Sequence, residues 1–400
     1  MGIELFEKAQ PILETIENNE FEAYFVGGSV RDYLMNRVIH DIDITTSATP
    51  DEVEEMFDKT IPIGKEHGTV NVVYNKENYE VTTFRAEAEY LDHRRPSEVY
   101  FVRDLKEDLQ RRDFTINAIA MDRNYNVYDY FDGQIDINQQ VIRTVGNAQE
   151  RFSEDALRIV RGLRFQAQLG FSLDAATYSA MQGQIADIEH LSIERIIVEF
   201  KKLIKGKNVS QSYHNSLNLG LFDYVPFFKE LDMSETTITV PVSFEIWLAI
   251  LMAKSQSELS LAVLNLSNKE KSMIQLYKKI ILELPNVNSK DAFRIFVYDY
   301  GEQNILEIFS IQSLLTLNNL AISSPLIVNT QSINEVAQQL PIQERKEMNI
   351  NGGDLLNYFH KKSGPWIKEV LREIECAIIT NKVQNVKKEI LEWVKDNVKI

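Results

Sequence analysis

The sequence predicts a multidomain α+β protein: an N-terminal mixed-sheet domain followed by an all-helical remainder. Three observations carry this. Short strand-like runs alternate with glycine turns and short helices between residues 23 and 84. Beyond about residue 170 helical periodicity dominates and no strand-like run of comparable strength occurs. A chain of 400 residues, 44% of them hydrophobic, suffices for two to four units with sizeable cores.

Residues 1–20 place Ile3, Leu5, Phe6, Ala9, Ile12, Leu13 and Ile16 at helical spacing, giving an amphipathic helix that leads into the first strand. The apolar run Tyr24-Phe25-Val26 then meets Gly27 and Gly28, and Ser29 opens a helical pattern through Val30, Arg31 and Leu34. Glycines at a strand-to-helix turn permit positive φ and close approach to a ligand, and free N–H groups at a helix start suit phosphate. An ordinary tight turn is the plain alternative for Gly-Gly alone. A pair of acids nearby changes the weighing, because Asp41 and Asp43 stand two apart in a strand and so project from one face, while Ile42 and Ile44 point into a core. Like charges held side by side repel unless a cation sits between them, and hard oxygen ligands suit Mg²⁺. Phosphate donors, through Gly28 and Arg31, together with a divalent-metal site point to nucleotidyl transfer.

The segment GGSVRD followed by DIDITTSATP resembles the first motif of the class II tRNA nucleotidyltransferases, the CCA-adding enzymes of the DNA polymerase beta superfamily. One departure is visible: Met35-Asn36 stands where the family usually has Leu-Gly. Asparagine tolerates the left-handed region, so the turn is expected to survive.

Next, Thr49-Pro50-Asp51-Glu52 reads as a cap with proline in the first turn of a short helix to about Lys59. Residues 61–64, 69–74 and 79–84 then read as strands completing one mixed sheet. Glu80 lies on the last of these and is a candidate third carboxylate near Asp41 and Asp43, for general-base help or a water-mediated metal contact; an exposed strand glutamate is the alternative. His67 is expected to hold a turn. Residues 86–103, polar and broken by Pro96, read as a mobile loop, and the resemblance associates a loop here with the final adenosine addition.

RRDFTINAIAM, residues 111–121, resembles the family's second motif. Arg112 offers a planar fork to phosphate, and Asp113 with Asn117, one helical turn apart, is expected to brace the loop, with bonding to the ribose as the alternative. YDYFDGQIDI, with a turn expected at Gly133, resembles the motif that closes the catalytic domain near residue 150.

A helix is predicted from Ser153, its expected cap, to Phe165, with Asp155, Arg158, Arg161 and Arg164 at successive steps of three. Three arginines in one row repel, so anionic company is expected, either from acids of the protein or from a ligand. An ionised Asp155 only accepts hydrogen bonds and Arg158 only donates them. Together they match the amine and ring acceptor of cytosine or adenine, whereas uracil or guanine leaves groups unmatched at about 1–3 kcal/mol each. The segment resembles the family's EDxxR motif, which implies Asp155 and Arg158 as a protein template for the base, with Arg161 and Arg164 lining the nucleotide pocket.

The helical half shows periodicity over 193–203, 244–253, 305–317 and 366–379, with polar breaks near 206–212, 232–241, 286–290 and 320–332. Asn351-Gly352-Gly353-Asp354, read as an entry turn capped by Asp354, and Gly364-Pro365-Trp366 resemble the body and tail segments that hold the tRNA acceptor arm in the family. The resemblance implies a nucleotidyltransferase head over 1–150, a helical neck with the base template over 151–210, a body over 211–330 and a tRNA-binding tail over 331–400.

Charge speaks against this at first. The chain carries a net −16, where a nucleic-acid partner leads one to expect a basic protein. Basic residues nevertheless cluster at Arg111-Arg112, along the arginine row, and at Lys201, Lys202, Lys205 and Lys207, and local charge can override the sum. One cysteine, Cys376, excludes an internal disulfide and a cysteine metal cage. No run is long enough to span a bilayer, and a cytoplasmic protein is expected. The resemblance implies addition of C, C and A to tRNA from CTP and ATP with Mg²⁺. Poly(A) polymerase and a non-catalytic RNA-binding relative are the alternatives. The sequence leaves the oligomeric state open, a homodimer included.

Overall fold

The computed structural model describes residues 3–62, 64–87, 99–255, 259–320 and 328–399. These form two compact units: Met1–Ser234 with Ile238–Val242 and Ala262–Asn265, and Glu235–Thr237 with Ser243–Leu261 and Leu266–Ile400.

In the first unit, helix α1 (Ile3–Asn18) buries Phe6, Ala9, Ile12, Leu13 and Ile16, and the Phe6 ring meets Phe25 edge-on at 4.8 Å. Strand β1 (Ala23–Val26) runs into α2 (Gly28–Leu34), and β2 (Asp43–Thr46) follows. Asn36 takes φ 53°, as its tolerance of the left-handed region predicts. Helix α3 (Pro50–Met56) starts in a reciprocal cap between Thr49 and Glu52 and ends before Lys59. Strands β3 (Thr60–Ile61), β4 (Thr69–Tyr74) and β5 (Glu77–Thr83) come next; Ile63 lies outside the described residues.

The stretch expected as a loop, 86–103, is paired at its ends: β6 (Arg85–Glu87) and β7 (Val99–Phe101) form an antiparallel ribbon. Residues 88–98 of that stretch lie outside the described residues. Helix α4 (Leu105–Gln110), strands β8 (Ile119–Met121) and β9 (Val127–Asp129), helix α5 (Gly133–Gln139) and strand β10 (Val141–Ile142) complete the sheet region. Seven strands hydrogen-bond in the order β3-β4-β5-β2-β1-β8-β9, with β2 and β5 parallel and their other neighbours antiparallel.

The turn expected at Gly133 is made by Asp132, at φ 61°. Gly133 instead opens α5, and it is glycine because a Cβ there would lie 2.3 Å from the Thr115 carbonyl oxygen.

Helix α6 (Ala148–Glu154) precedes α7 (Leu157–Leu169). Strand β11 (Ser172–Leu173) pairs in parallel with β10. Helices α8 (Ala175–Gln184), α9 (Ile193–Ile204) and α10 (Val209–Asn218) follow. α10 starts within the break expected over 206–212. Its sequence VSQSYHNSLN is mostly polar, but Ser212 and Tyr213 are buried, and the Ser212 hydroxyl donates to the Leu163 carbonyl at 2.7 Å.

Among its described residues the second unit holds helices joined by loops, and no strand. The helix Trp366–Ile379 runs as the spacing predicts, and Val370, Ile374 and Ile378 join a core with Leu355, Ile390 and Val394. The stretch expected as one helix over 305–317 is two, Glu302–Ser310 and Gln312–Leu317. The helix Gly352–Phe359 starts in a reciprocal cap: the Asn351 side chain accepts the Asp354 N–H at 3.2 Å, and the Asp354 carboxylate accepts the Asn351 N–H at 3.0 Å. Within the break expected over 320–332, residues 321–327 lie outside the described residues.

Candidate active site

The aspartate pair sits at the start of β2. Asp43 is the first residue of the strand and Asp41 precedes it in extended chain; both are exposed, while Ile42 and Ile44 are buried. The parallel register sets Glu80 opposite Asp43, which puts their side chains on the same face of the sheet. Although Asp43 keeps solvent exposure, the protein packed around its carboxyl strips part of its hydration and raises its pKa. Glu80 and Asp41 raise it further, while Arg112 opposes them.

Gly27 lies between the two charges. It takes φ 76°, and a Cβ there would stand 3.3 Å from Arg112 Nη1 and 3.9 Å from Asp43 Oδ2. Glycine is thus required for the backbone conformation, and a Cβ would also crowd the Arg112 guanidinium. Among the described residues no ready-made group of three or more His, Cys, Asp or Glu side chains is gathered to hold a metal. Two solvent-facing carboxylates with a third beside them nevertheless fit a hard divalent cation that completes its shell with water and phosphate oxygens.

The arginine row is built differently from the single helix expected. Ser153 and Glu154 end α6, Asp155 stands in the break at φ −145°, and α7 begins only at Leu157. One Asp155 oxygen accepts the N–H of Leu157, the first residue of α7, at 3.0 Å, and the other takes Arg195 Nη2 at 2.6 Å. Asp155 and Arg158 are therefore not paired side chain to side chain. Arg158 donates to the carbonyls of Arg151 and Arg111 at 3.0 Å each and pairs with Glu154.

The anionic company of the row is internal. Arg161 Nε donates to Asp113 Oδ2 at 2.7 Å. Arg164 Nε lies 2.8 Å from Glu199 Oε2 in an ion pair without hydrogen-bond geometry, and its guanidinium sits 4.0 Å from the Phe165 ring. Burial and the neighbouring Arg161 lower the Arg164 pKa to about 10, against the pull of Glu199. Asp113 is pushed up by burial, but Arg161 and the Asn117 amide overcome this and hold it at about 2. Asn117 also accepts from Arg31 Nη1 at 2.6 Å, so Asp113 and Asn117 brace the site as the motif suggested.

Apart from Glu199, these groups line one cavity of about 530 Å³, in which eight arginines face three aspartates. Gly28, Arg31, Arg112, Asp155, Arg158, Arg161 and Arg164 all border it, and so does Asp43. A second cavity of about 400 Å³ shares Gly28, Arg31 and Asp43 with the first and is bordered by Asp41, Arg37, His40, Lys205 and Lys207. Asp43 thus borders both cavities, and Asp41 borders the second.

Known proteins match this chain throughout. The Poly A polymerase head domain model fits residues 23–143 and the tRNA nucleotidyltransferase domain 2 model residues 239–394. The CCA-adding enzyme of Staphylococcus haemolyticus (strain JCSC1435) is 66% identical over 400 residues, all of each chain. The chain belongs to the CCA-adding enzymes. They are nucleotidyltransferases that use divalent metals. Among solved structures, the Bacillus stearothermophilus CCA-adding enzyme in complex with CTP superposes at a TM-score of 0.83 with 32% identity, covering 98% of this chain and 97% of that one. The Thermotoga maritima CCA-adding enzyme complexed with tRNA_CCA shares the fold at a TM-score of 0.63 and 19% identity, covering 99% and 95%.

Several residues of this CCA-adding enzyme's site escaped the sequence reading. Asp108 has no exposed surface and accepts Arg111 Nη2 at 2.8 Å and Arg112 Nη2 at 3.1 Å. Its i+3 and i+4 spacing to those arginines was a readable signal. Glu199 and Arg195, four apart on α9, carried a similar one, but that they reach Arg164 and Asp155 depends on helix packing.

Proposed function

We propose that this protein completes the 3′ end of tRNA, adding C, C and A from CTP and ATP without a nucleic-acid template, and that the arginine cavity holds the nucleotide. The observation that carries this is the meeting of two basic cavities at Asp43. One offers guanidinium groups for a triphosphate, with Asp155 and Arg158 for the base edge. The other offers Arg37, Lys205 and Lys207 to the phosphates of an RNA end.

In this reading Arg112, Arg161 and Arg164 bind the triphosphate, Arg31 and Gly28 border it, and charge that develops on the departing pyrophosphate is met by donors already in place. The RNA 3′-hydroxyl attacks the α-phosphate from the side of the second cavity. Asp41 and Asp43 would hold a divalent cation, for which we propose Mg²⁺; when bound it supplies Lewis-acid stabilisation of the phosphoryl oxygens. Glu80, opposite Asp43, is the group that would take the hydroxyl proton, directly or through a water.

We assign 1–150 as the head, 151–210 as the neck, 211–330 as the body and 331–400 as the tail that receives the tRNA acceptor arm. We also assign the protein to the cytoplasm; among the described residues no helix is long and apolar enough to cross a membrane.

The test is incubation with Mg²⁺ and a tRNA transcript lacking its 3′ end, supplying the four nucleotides singly and together. Two additions with CTP, and a third only when ATP joins it, are expected. Long tails with ATP alone would show a poly(A) polymerase, and no incorporation would show a binding relative.

A further inference from the structure

Asp155 is held from two sides. One carboxylate oxygen accepts the Leu157 N–H at 3.0 Å and the other accepts Arg195 Nη2 at 2.6 Å. Arg195 is on α9, 40 residues further along, and it borders the arginine cavity with Asp155. Its second terminal nitrogen, Nη1, is buried and has no hydrogen-bond partner.

The chemistry of an aspartate gives this arrangement meaning. The terminal torsion of Asp is broad, so a lone carboxylate swings. A guanidinium on one oxygen and a backbone N–H on the other fix its plane, with both oxygens turned to donors. About two of the roughly four lone-pair positions are then taken, and the remainder can accept an exocyclic amine. The unpartnered Nη1 is a second sign of a ligand, since a buried donor without an acceptor is costly unless something brings one.

We infer that Arg195 is a positioning residue for base selection, holding Asp155 as a fixed acceptor so that amine-bearing cytosine and adenine are taken and carbonyl-bearing uracil and guanine are refused. This rests on the reading of Asp155 as a base reader. The experiment is therefore built to fail separately for each.

Single-nucleotide extension of a tRNA transcript lacking its 3′ end gives kcat/KM for CTP and for UTP. It is measured for the unaltered protein, Arg195→Met, Arg195→Lys, Asp155→Ala and the double variant Arg195→Met with Asp155→Ala. Circular dichroism checks that each is folded, and Arg195→Lys carries the test where Arg195→Met does not fold. Arg195→Met is expected to lower the CTP-to-UTP ratio by about tenfold. Arg195→Lys should restore part of it, and the double variant should discriminate no worse than Asp155→Ala alone. If Arg195→Met slows CTP and UTP alike while Asp155→Ala changes the ratio, Arg195 is only structural and the inference is overturned. If Asp155→Ala leaves the ratio unchanged, the base-reading role of Asp155 fails and the inference falls with it.

Discussion

Glu375, on the helix Trp366–Ile379, is 2% exposed and is surrounded by donors. It accepts Arg345 Nε at 2.9 Å and Nη2 at 2.6 Å, Arg372 Nη1 at 2.8 Å, and the Tyr298 hydroxyl at 2.8 Å. Burial pushes its carboxyl up, but these bonds overcome the push and hold it at about 2. An unfolded glutamate titrates near about 4.3, so the difference corresponds to about 3 kcal/mol of stability at neutral pH. Removing one partner of a buried pair costs about 3–5 kcal/mol, and the half-exposed Arg345 puts this case at the lower end. Glu375→Gln keeps the shape and removes the charge. With a urea slope of about 2 kcal/mol/M, its unfolding midpoint should fall by about 1.5 M. Tryptophan fluorescence is the assay, because Trp247, Trp366 and Trp393 all belong to the second unit. The sign with pH follows from the lowered pKa: the stabilisation is complete above about pH 4.3 and is lost as pH falls toward 2. The gap between the two proteins should close over that range. A midpoint drop below about 0.3 M at pH 7, or one equally large at pH 2.5, would refute the reasoning.

Replacing Asp41 or Asp43 with Ala should abolish nucleotide incorporation while circular dichroism and melting temperature stay close to those of the unaltered protein; substantial retained activity would remove the metal assignment. Asp108→Asn takes the shared acceptor from Arg111 and Arg112 and should lower both kcat/KM for CTP and stability, the latter by about 3 kcal/mol, read in a melting curve beside the kinetics. Gly133→Ala drives a methyl group to 2.3 Å from the Thr115 oxygen and 2.8 Å from Ile119, so a loss of about 3 kcal/mol or more is expected in chemical unfolding of the first unit. Changing Lys205 and Lys207 together to Glu should raise KM for the RNA and flatten its salt dependence without changing the KM for CTP.

What the sequence made legible is what depends on near neighbours. The two-residue period exposes Asp41 and Asp43 together, and Asn36 adopts φ 53° because its own side chain tolerates it. Distant partners decide the rest. Glu80 stands opposite Asp43 only because β5 pairs in parallel with β2, 37 residues earlier, and no local pattern encodes strand order. The stretch from Ser153 to Phe165 looks like one helix since its residues are good helix formers. It breaks at Asp155, whose side chain accepts the first N–H of α7 and meets Arg195. The acids beside Arg161 and Arg164 come from Asp113 and Glu199, one on the loop after α4 and one on α9.

The same distinction resolves the conflict over charge. A net −16 describes the field far from the protein, and screening cuts that field off within about 8 Å at physiological ionic strength. Inside the cavity the count is eight arginines against three aspartates, held between low-dielectric walls that focus the field. Most of that positive charge is matched from behind: Asp108 pairs with Arg111 and Arg112, and Asp32, Glu154, Asp113, Glu199 and Asp155 pair with Arg31, Arg158, Arg161, Arg164 and Arg195. The pairing keeps the arginines close together without a ligand, and a guanidinium carries five donors, so N–H groups not used in a pair can turn to a triphosphate. Whole-chain charge therefore excludes little about an anionic substrate; the arrangement of a few buried pairs decides it.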